Sequence, residues 1–260
     1  AQFVFTNTQK PSFRLVKLDS FTGEPLGGAT FRIAKIEDGT HYLDRVTDAN
    51  GEINIADLDP GVYSVQEMTA PEGYVKDSHE YHVELFPGIT SELVVSNDRK
   101  PNLEIVKTDA ISGAPVEGVT FTVKKVDSST LTTVTSGADG TALIENLDPG
   151  VYEIWEQSVP DSYLLNEEHQ LITLVPNRTG TVQFQNYPKP TLKILKVDSI
   201  TGDAIKGAKF SITYASNDTF TGEVNDLGTY YTDENGEIEI TKLQDGWYKV
   251  TELEAAAGYA

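Results

Sequence analysis

Residues 13–33 read FRLVKLDSFTGEPLGGATFRI, and this stretch decides the fold because it recurs twice further along the chain. The pattern returns as LEIVKTDAISGAPVEGVTFTV at residues 103–123 and as LKILKVDSITGDAIKGAKFSI at residues 192–212. Self-similarity at a long, fixed period is typical of tandem arrays in which each repeat is one structural unit. A chain of 260 residues is long enough for two or three domains of ordinary size, so we expect three related domains.

Two further blocks recur with the same period. The first reads LDPGVYSVQEMTAPEGY at residues 58–74, and it returns as LDPGVYEIWEQSVPDSY and LQDGWYKVTELEAAAGY. The second reads FVFTNT at residues 3–8, and it returns as LVVSND and VQFQNY. This spacing predicts the last strand of a preceding repeat at 1–10, complete domains at 11–99 and 100–188, and a domain that lacks its last strand at 189–260.

Each repeat shows the pattern of an all-β sandwich. Apolar residues alternate with polar ones over strand-like lengths, and clusters of Gly, Pro, Asn and Asp separate these runs. The stretches DANGE from Asp48, GADGT from Gly137 and DENGE from Asp233 are typical of hairpin turns, because Asn-Gly and Asp-Gly supply the positive φ that tight turns need. An EF-hand calcium loop needs further oxygen ligands and a closing glutamate, so no metal site is predicted. Short junctions around Pro101 and Pro190 predict stiff links and an extended array.

The composition argues against several classes of binding partner and excludes all cysteine chemistry. Forty acidic residues against 20 basic ones give a formal charge of -20, which argues against nucleic acid or an anionic membrane as a partner. The chain has no cysteine, so disulfides, thiolate metal sites and cysteine nucleophiles are excluded, and no cofactor is predicted. No apolar run approaches membrane-spanning length, and the start AQFVFTNTQK lacks the regions of a signal peptide. We expect the chain to be a piece of a longer protein.

Strand parity places three polar residues of each repeat on an apolar face. In the first repeat Lys17 follows Phe13 and Leu15 on one side of a strand, and Glu67 follows Tyr63 and Val65 in the same way. The corresponding residues are the lysines Lys107 and Lys196, the glutamates Glu156 and Glu252, and the asparagines Asn7, Asn97 and Asn186. A polar residue at the same core-facing position of every repeat is not explained by the solvation of a loose sheet edge.

Such a cluster has two interpretations. A buried lysine and carboxylate could form a simple ion pair that the asparagine amide satisfies. Alternatively the groups react, because burial lowers the pKa of a lysine and raises that of a carboxyl, which leaves a neutral amine beside a protonated acid. The product would be a Lys-Asn isopeptide bond with loss of ammonia. Groups fixed at contact distance have a very high effective molarity, so the reaction could run once without an external enzyme.

The three blocks resemble the CnaB (SpaA-type) domains of Gram-positive surface proteins and pilins. The resemblance rests on the Lys-x-Asp first strand, the LDPGxYxxxExxxPxxY block and the terminal asparagine strand, and it covers nearly the whole chain. It implies a prealbumin-like β-sandwich whose first and last strands are joined by an intramolecular isopeptide bond. The implied assignment joins Lys17 to Asn97 with Glu67 as catalyst, and Lys107 to Asn186 with Glu156 as catalyst.

The third repeat departs from this pattern. Lys196 and the candidate catalyst Glu252 are present, but the sequence ends at Ala260 before an asparagine strand. One hypothesis is that Asn7 of one molecule completes the Lys196 site of the next by strand addition, with head-to-tail self-association through residues 1–10 and 190–260. The alternative is a cut made out of register in a longer repeat protein.

The expected function is structural. A bond between Lys17 and Asn97 would close a loop of 80 residues and carry tension through covalent bonds. We therefore expect a stalk or shaft segment of a cell-surface adhesin or pilus, extracellular and attached to a Gram-positive cell wall, with neighbouring repeats as partners. The alternative is a ligand-binding adhesin module that recognises a host surface protein, for which the outward-facing Trp155 is a candidate contact.

Other chemistry is not expected. No Ser-His-Asp order is evident, and His79 and His82 are three residues apart on a predicted strand, which places them on opposite faces. The sequence YPKP around Lys189 resembles a pilin sorting motif, but its position at a domain junction favours a linker. The chain is therefore predicted not to be an enzyme beyond a single autocatalytic bond formation.

Overall fold

The structure is a computed structural model that describes residues 2–37 and 42–260. The chain is all-β, and its strands form three tandem domains, each built from two sheets. Strands of the first domain are β1 (Ser12–Asp19), β2 (Thr30–Lys35), β3 (Tyr42–Val46), β4 (Glu52–Ile55), β5 (Gly61–Thr69), β6 (Glu80–Leu85) and β7 (Thr90–Asn97). Strands of the second domain are β8 (Asn102–Asp109), β9 (Thr120–Lys125), β10 (Leu131–Thr135), β11 (Thr141–Ile144), β12 (Gly150–Ser158), β13 (Gln170–Leu174) and β14 (Thr179–Asn186).

The first two domains share one topology. One sheet has the order β4-β1-β7 and the other the order β3-β2-β5-β6, and the second domain repeats this as β11-β8-β14 and β10-β9-β12-β13. Because side chains of a strand alternate between faces, Phe13 and Leu15 meet Phe31 and Val65 of the opposite sheet. The second core is built in the same way around Ile105, and both domains are β-sandwiches with the predicted alternation of burial.

The first and last strands of each complete domain lie side by side. β1 pairs with β7 in parallel, in a register that sets Lys17 opposite Val95 and Asp19 opposite Asn97. β8 pairs with β14 in parallel in the matching register, with Asp109 opposite Asn186. The chain therefore enters and leaves each complete domain through neighbouring strands.

The third domain has the strands β15 (Leu192–Leu195), β16 (Lys209–Ala215), β17 (Val224–Tyr231), β18 (Glu237–Ile240) and β19 (Trp247–Glu254). Among the described residues no strand follows β19, and β15 pairs only with β18. The prediction that its polar residues follow apolar rows into a core holds only in part in this domain. Ile194 is partly buried and packs against the core, but Val250 is 38% exposed.

The turn predictions are right in conformation and wrong in connectivity. Gly51, Gly140 and Gly236 have φ values of 73, 74 and 71°, as the Asn-Gly and Asp-Gly signals require. The strands on either side do not form hairpins, however, because β3 and β4 belong to different sheets, as do β10 and β11. The turns carry the chain from one sheet of the sandwich to the other.

The segment before the first domain forms no strand in residues 2–10. Phe3 and Phe5, predicted to face a core, are 82% and 91% exposed. Asn7 is likewise exposed. Pairing of this segment as a last strand stays a prediction. No helix suited to crossing a membrane occurs in the part of the chain that the structure describes.

Candidate functional site

The core of the first domain contains an ionisable pair. Lys17 lies on the inward face of β1 after Phe13 and Leu15, and Glu67 lies on the inward face of β5 after Val65. Lys17 is 0% exposed and Glu67 is 1% exposed, so both are sealed from water. The Lys17 Nζ and the Glu67 Oε1 are 3.4 Å apart. A buried charge must be paired or neutralised, and here the two ionisable groups face each other.

Asn97 completes this cluster from the end of β7. Its side-chain Nδ2 donates to Glu67 Oε2 at 2.8 Å and to the carbonyl of Val75 at 2.8 Å. The backbone N–H of Asp77 donates to the same Glu67 Oε2 at 2.6 Å. One glutamate oxygen therefore accepts two hydrogen bonds, while the other faces the lysine.

Three polar atoms of this cluster lack a hydrogen bond: Lys17 Nζ, Glu67 Oε1 and Asn97 Oδ1. A buried polar atom without a hydrogen bond costs free energy, so three in one cluster are unusual in a folded core. Burial lowers the pKa of Lys17, and this outweighs the opposing influence of Glu67 and Asp77. The arrangement favours a neutral amine at Lys17.

The second domain repeats the cluster. Asn186 Nδ2 donates to Glu156 Oε2 at 2.8 Å, and the backbone N–H of Asn166 donates to the same oxygen at 3.0 Å. The Lys107 Nζ is 3.7 Å from Glu156 Oε1 and donates to the carbonyls of Thr108 and Phe184 at 3.1 and 3.2 Å. Glu156 Oε1 and Asn186 Oδ1 lack a hydrogen bond. Burial again lowers the pKa of the lysine, against the influence of Glu156.

The third domain holds an incomplete version. Lys196 Nζ lies 2.9 Å from Glu252 Oε2, but the two side chains are 28% and 34% exposed. Within the described ranges no asparagine makes a hydrogen bond with either group, and Asn7 lies on the exposed segment ahead of the first domain. The structure brings Lys17, Glu67 and Asn97 together, and Lys107, Glu156 and Asn186 together, but it does not bring Asn7 to Lys196.

Sequence reasoning gave no role to a buried carboxylate beside each cluster. Asp19 follows Lys17 on the inward face of β1 and is 1% exposed. Its Oδ1 accepts the backbone N–H of Phe21 and Thr22, and its Oδ2 accepts the hydroxyl of Tyr74 at 2.8 Å. The aspartate of the Lys-x-Asp motif and the tyrosine that ends the LDPG block recur in every repeat, and that recurrence is the signal that could have revealed the pair.

The electrostatics of Asp19 follow from these contacts. Burial alone would raise the pKa of Asp19, but hydrogen bonds from Thr22, Arg99 and Tyr74 outweigh it and hold the pKa well below its ordinary value. In the second domain the backbone N–H groups of Ser112 and Ile111 lower the pKa of Asp109, and the Tyr163 hydroxyl adds to this effect. Each complete domain therefore anchors the end of its first strand through a charged aspartate.

Three other residues of the sequence analysis have local partners. The Trp155 ring stacks on His169 of the same domain, with ring centroids 4.9 Å apart and planes 4° from parallel. Lys189 lies 3.3 Å from Asp161, which also contacts Lys242 of the third domain at 2.8 Å. His79 packs edge-on against Tyr81. These contacts give each side chain a structural neighbour.

Comparison with known proteins gives consistent matches. A family model described as "SpaA: Prealbumin-like fold domain" matches residues 11–99, 101–188 and 190–260. The serine-aspartate repeat-containing protein D of Staphylococcus aureus strain Newman is 26% identical over 282 residues, which cover 90% of this chain and 20% of that protein. The chain thus spans about a fifth of the length of the curated relatives that it matches.

Solved structures that are similar to this chain include pilins. The shaft pilin SpaA of Lactobacillus rhamnosus GG is 16% identical with a TM-score of 0.47, and the match covers 72% of this chain and 100% of that one. The Bacillus anthracis TIE protein is 24% identical with a TM-score of 0.41, over 96% of this chain and 49% of that one.

Proposed function

Because this chain belongs to the SpaA family of prealbumin-like fold domains, we propose that it is a structural segment of a cell-surface adhesin or pilus of a Gram-positive bacterium, located outside the cell and attached to its wall. Each complete domain is stabilised by an isopeptide bond formed within its own core. The observation that carries the proposal is the position of Glu67, whose two oxygens face Lys17 and Asn97 in a site closed to water. The same arrangement around Glu156 supports it independently.

The bond forms by attack of the neutral Lys17 Nζ on the side-chain carbonyl carbon of Asn97. One N–C bond forms, the bond between that carbon and Nδ2 breaks, and ammonia leaves. Glu67 Oε1 faces the attacking nitrogen, while Oε2 already accepts a hydrogen bond from the departing Nδ2. The carboxyl group can therefore take the proton that the lysine loses and deliver it to the leaving nitrogen. All atoms balance without a cofactor.

The closed core supplies most of the rate enhancement. Reactants held at contact distance gain an effective molarity of about 10⁵–10⁸ M. The product converts the unsatisfied Lys17 Nζ into an amide, which relieves part of the cost of its burial. Glu67 is regenerated, but the Lys17 amine and the Asn97 side-chain amide are both consumed, so the reaction runs once in each domain and is not enzymatic turnover.

The bond has a mechanical consequence that suits a stalk. Tension enters a domain through β1 and leaves through β7, and a Lys17–Asn97 bond connects these two strands directly. Force then bypasses the intervening chain, and the sheets are not pulled apart. In the chain-entropy estimate used for disulfides, a closed loop of this length stabilises the fold by roughly 4.5 kcal/mol.

The experiment is an intact-mass measurement of the denatured protein and of two variants, Glu67→Gln and Glu156→Gln. The parent should weigh two ammonias less than its sequence, and each variant should regain one. Glu252→Gln is the matched control, because within the described residues no asparagine of the same chain contacts Lys196 or Glu252, and it should leave the mass deficit of the monomeric parent unchanged. A parent of full calculated mass would contradict the proposal, because it would show that the lysines and glutamates form buried ion pairs and no crosslink.

A second proposal is head-to-tail association of two copies of the chain. It is favoured because both parts that would meet, the Lys196 site and the segment with Asn7, are exposed. Lys196 and Glu252 face each other at an uncovered side of the third domain, and the segment with Asn7 carries exposed Phe3 and Phe5. Residues 2–8 of a second copy would pair with β15 and place Asn7 at Lys196. A ladder of covalent multimers on a denaturing gel, abolished by Asn7→Ala, is the expected result. A single monomer band would leave the neighbouring repeats of a longer protein as the partners.

A further inference from the structure

Arg99 connects the first domain to the second. Its backbone N–H donates to Asn177 Oδ1 at 2.7 Å, and its carbonyl accepts the Asn177 N–H at 2.9 Å. The Asn177 Nδ2 also donates to Asp98 Oδ1 at 2.9 Å. Asn177 lies in the turn between β13 and β14 of the second domain. The second domain thus holds the two residues that directly follow Asn97.

The side chain of Arg99 points the other way, into the first domain. Its Nε donates to Asp19 Oδ2 at 2.6 Å, the oxygen that also accepts the Tyr74 hydroxyl. Asp19 is the parallel register partner of Asn97. Arg99 therefore ties the end of β7, which carries Asn97, to the end of β1, which carries Lys17.

The second domain supplies a matched comparison. Its backbone bonds at this position are the same, with Ala110 N donating to Asn186 O at 2.9 Å where Ser20 N donates to Asn97 O at 3.0 Å. The residue in the place of Arg99 is Pro188, which pairs with Tyr163 as Arg99 pairs with Tyr74. A proline has neither a side-chain donor for Asp109 nor an N–H for a neighbouring domain. Among the described residues, the link that Arg99 makes between the neighbouring domain and the buried aspartate therefore occurs only in the first domain.

We propose that Arg99 is a positioning residue through which docking of the second domain accelerates formation of the Lys17–Asn97 bond. This inference rests on the proposed function. When Asn177 fixes the backbone of Arg99, the guanidinium reaches Asp19 and holds the ends of β1 and β7 together. Asn97 is then fixed against Glu67. The Lys107–Asn186 bond has no such dependence on a following domain.

The test follows both bonds in the same molecules. The full chain is made by cell-free synthesis with a pulse of isotope-labelled lysine, quenched in acidic denaturant at intervals, digested, and analysed for the two crosslinked peptides by mass spectrometry. In Arg99→Ala the Lys17–Asn97 peptide should accumulate at least about fivefold more slowly, since a charge-assisted hydrogen bond no longer orders the reacting strand ends. The Lys107–Asn186 peptide is the internal control and should keep its rate.

Three further variants separate positioning from folding. Asn177→Gly removes the side-chain acceptor of the Arg99 N–H and the donor to Asp98. It keeps the backbone N–H that donates to the Arg99 carbonyl and a turn at positive φ, as Gly88 does at the corresponding turn of the first domain, and it should slow only the first bond. Arg99→Pro installs the residue of the second domain and should act like Arg99→Ala. Arg99→Lys keeps the charge and should restore part of the rate.

The outcomes are distinguishable. Unchanged kinetics of the first bond in Arg99→Ala, or equal slowing of both bonds, would overturn the role of Arg99 while leaving the crosslinks intact. Absence of both crosslinked peptides from the parent would instead overturn the proposed function itself.

Discussion

Asn97 donates its side-chain amide to Glu67 at 2.8 Å, and the corresponding pair in the second domain, Asn186 and Glu156, has the same distance. In both domains the accepting oxygen also receives a backbone N–H from a residue ten positions after the glutamate, which fixes the carboxyl plane. The other oxygen is left to face a lysine. Two domains of different sequence thus preserve one orientation of the carboxyl group.

The first prediction concerns the cost of an unpaired polar atom in this site. Lys17→Met prevents the crosslink and leaves Glu67 Oε1 without the nitrogen that faces it, so it should destabilise the first domain by about 1–3 kcal/mol beyond the loss of the bond. Adding Glu67→Gln replaces the buried acid with a neutral amide and keeps an acceptor for Asp77, so the double variant should be more stable than the single one. Urea unfolding of both variants measures the difference. A double variant no more stable than Lys17→Met would show that the unpaired acid carries no such cost.

The second prediction concerns acid stability through Asp19. Its pKa is lowered in the folded protein from an ordinary value of 3.8, so the folded state holds fewer protons than the unfolded one in the window below that value. The carboxylate therefore contributes stability above its unfolded pKa, and this contribution is lost as pH falls through the folded pKa. The melting temperature of the parent should fall more steeply below about pH 4 than that of Asp19→Asn. Parallel curves would contradict a stabilising role for this charge.

Strand parity predicted the two complete sites because alternation along a strand is local. Lys17 and Glu67 follow apolar rows, and burial of those rows carries the polar residues inward. The same parity failed for Val250, since alternation sets the face of a strand and burial of that face depends on long-range packing. The Asp-Gly and Asn-Gly signals predicted the positive φ of Gly51 but not the sheet that its next strand joins, which is decided by long-range pairing. Within the described residues the side-chain contact of Asn177 with the Arg99 N–H does not recur between the other repeats, so the internal repeats gave no sign of it.

The third prediction compares the tyrosines that contact the buried aspartates. Tyr74→Phe removes one donor from Asp19, which keeps the Arg99 guanidinium, and the expected loss of stability is roughly 1 kcal/mol. Tyr163→Phe removes the hydroxyl that helps to lower the pKa of Asp109, which has no arginine partner within the described residues, and the loss should be larger. Thermal unfolding of the two variants and of the parent shows which variant loses more stability. Equal losses would mean that Arg99 does not compensate for the missing hydroxyl.

The fourth prediction concerns extension under force. If Lys17 is bonded to Asn97, the chain between them cannot lengthen when the protein is pulled from its ends, and the same holds between Lys107 and Asn186. Single-molecule stretching of the parent should show extension from the third domain but from neither complete domain. Glu67→Gln should add one unfolding event that releases about 260–290 Å of chain, as 80 residues at full extension allow. Glu156→Gln is the matched variant and should add one event of nearly the same length. A parent that already shows both events would mean that tension is carried by hydrogen bonds between β1 and β7, which would remove the mechanical reason for a lysine, a glutamate and an asparagine in each core.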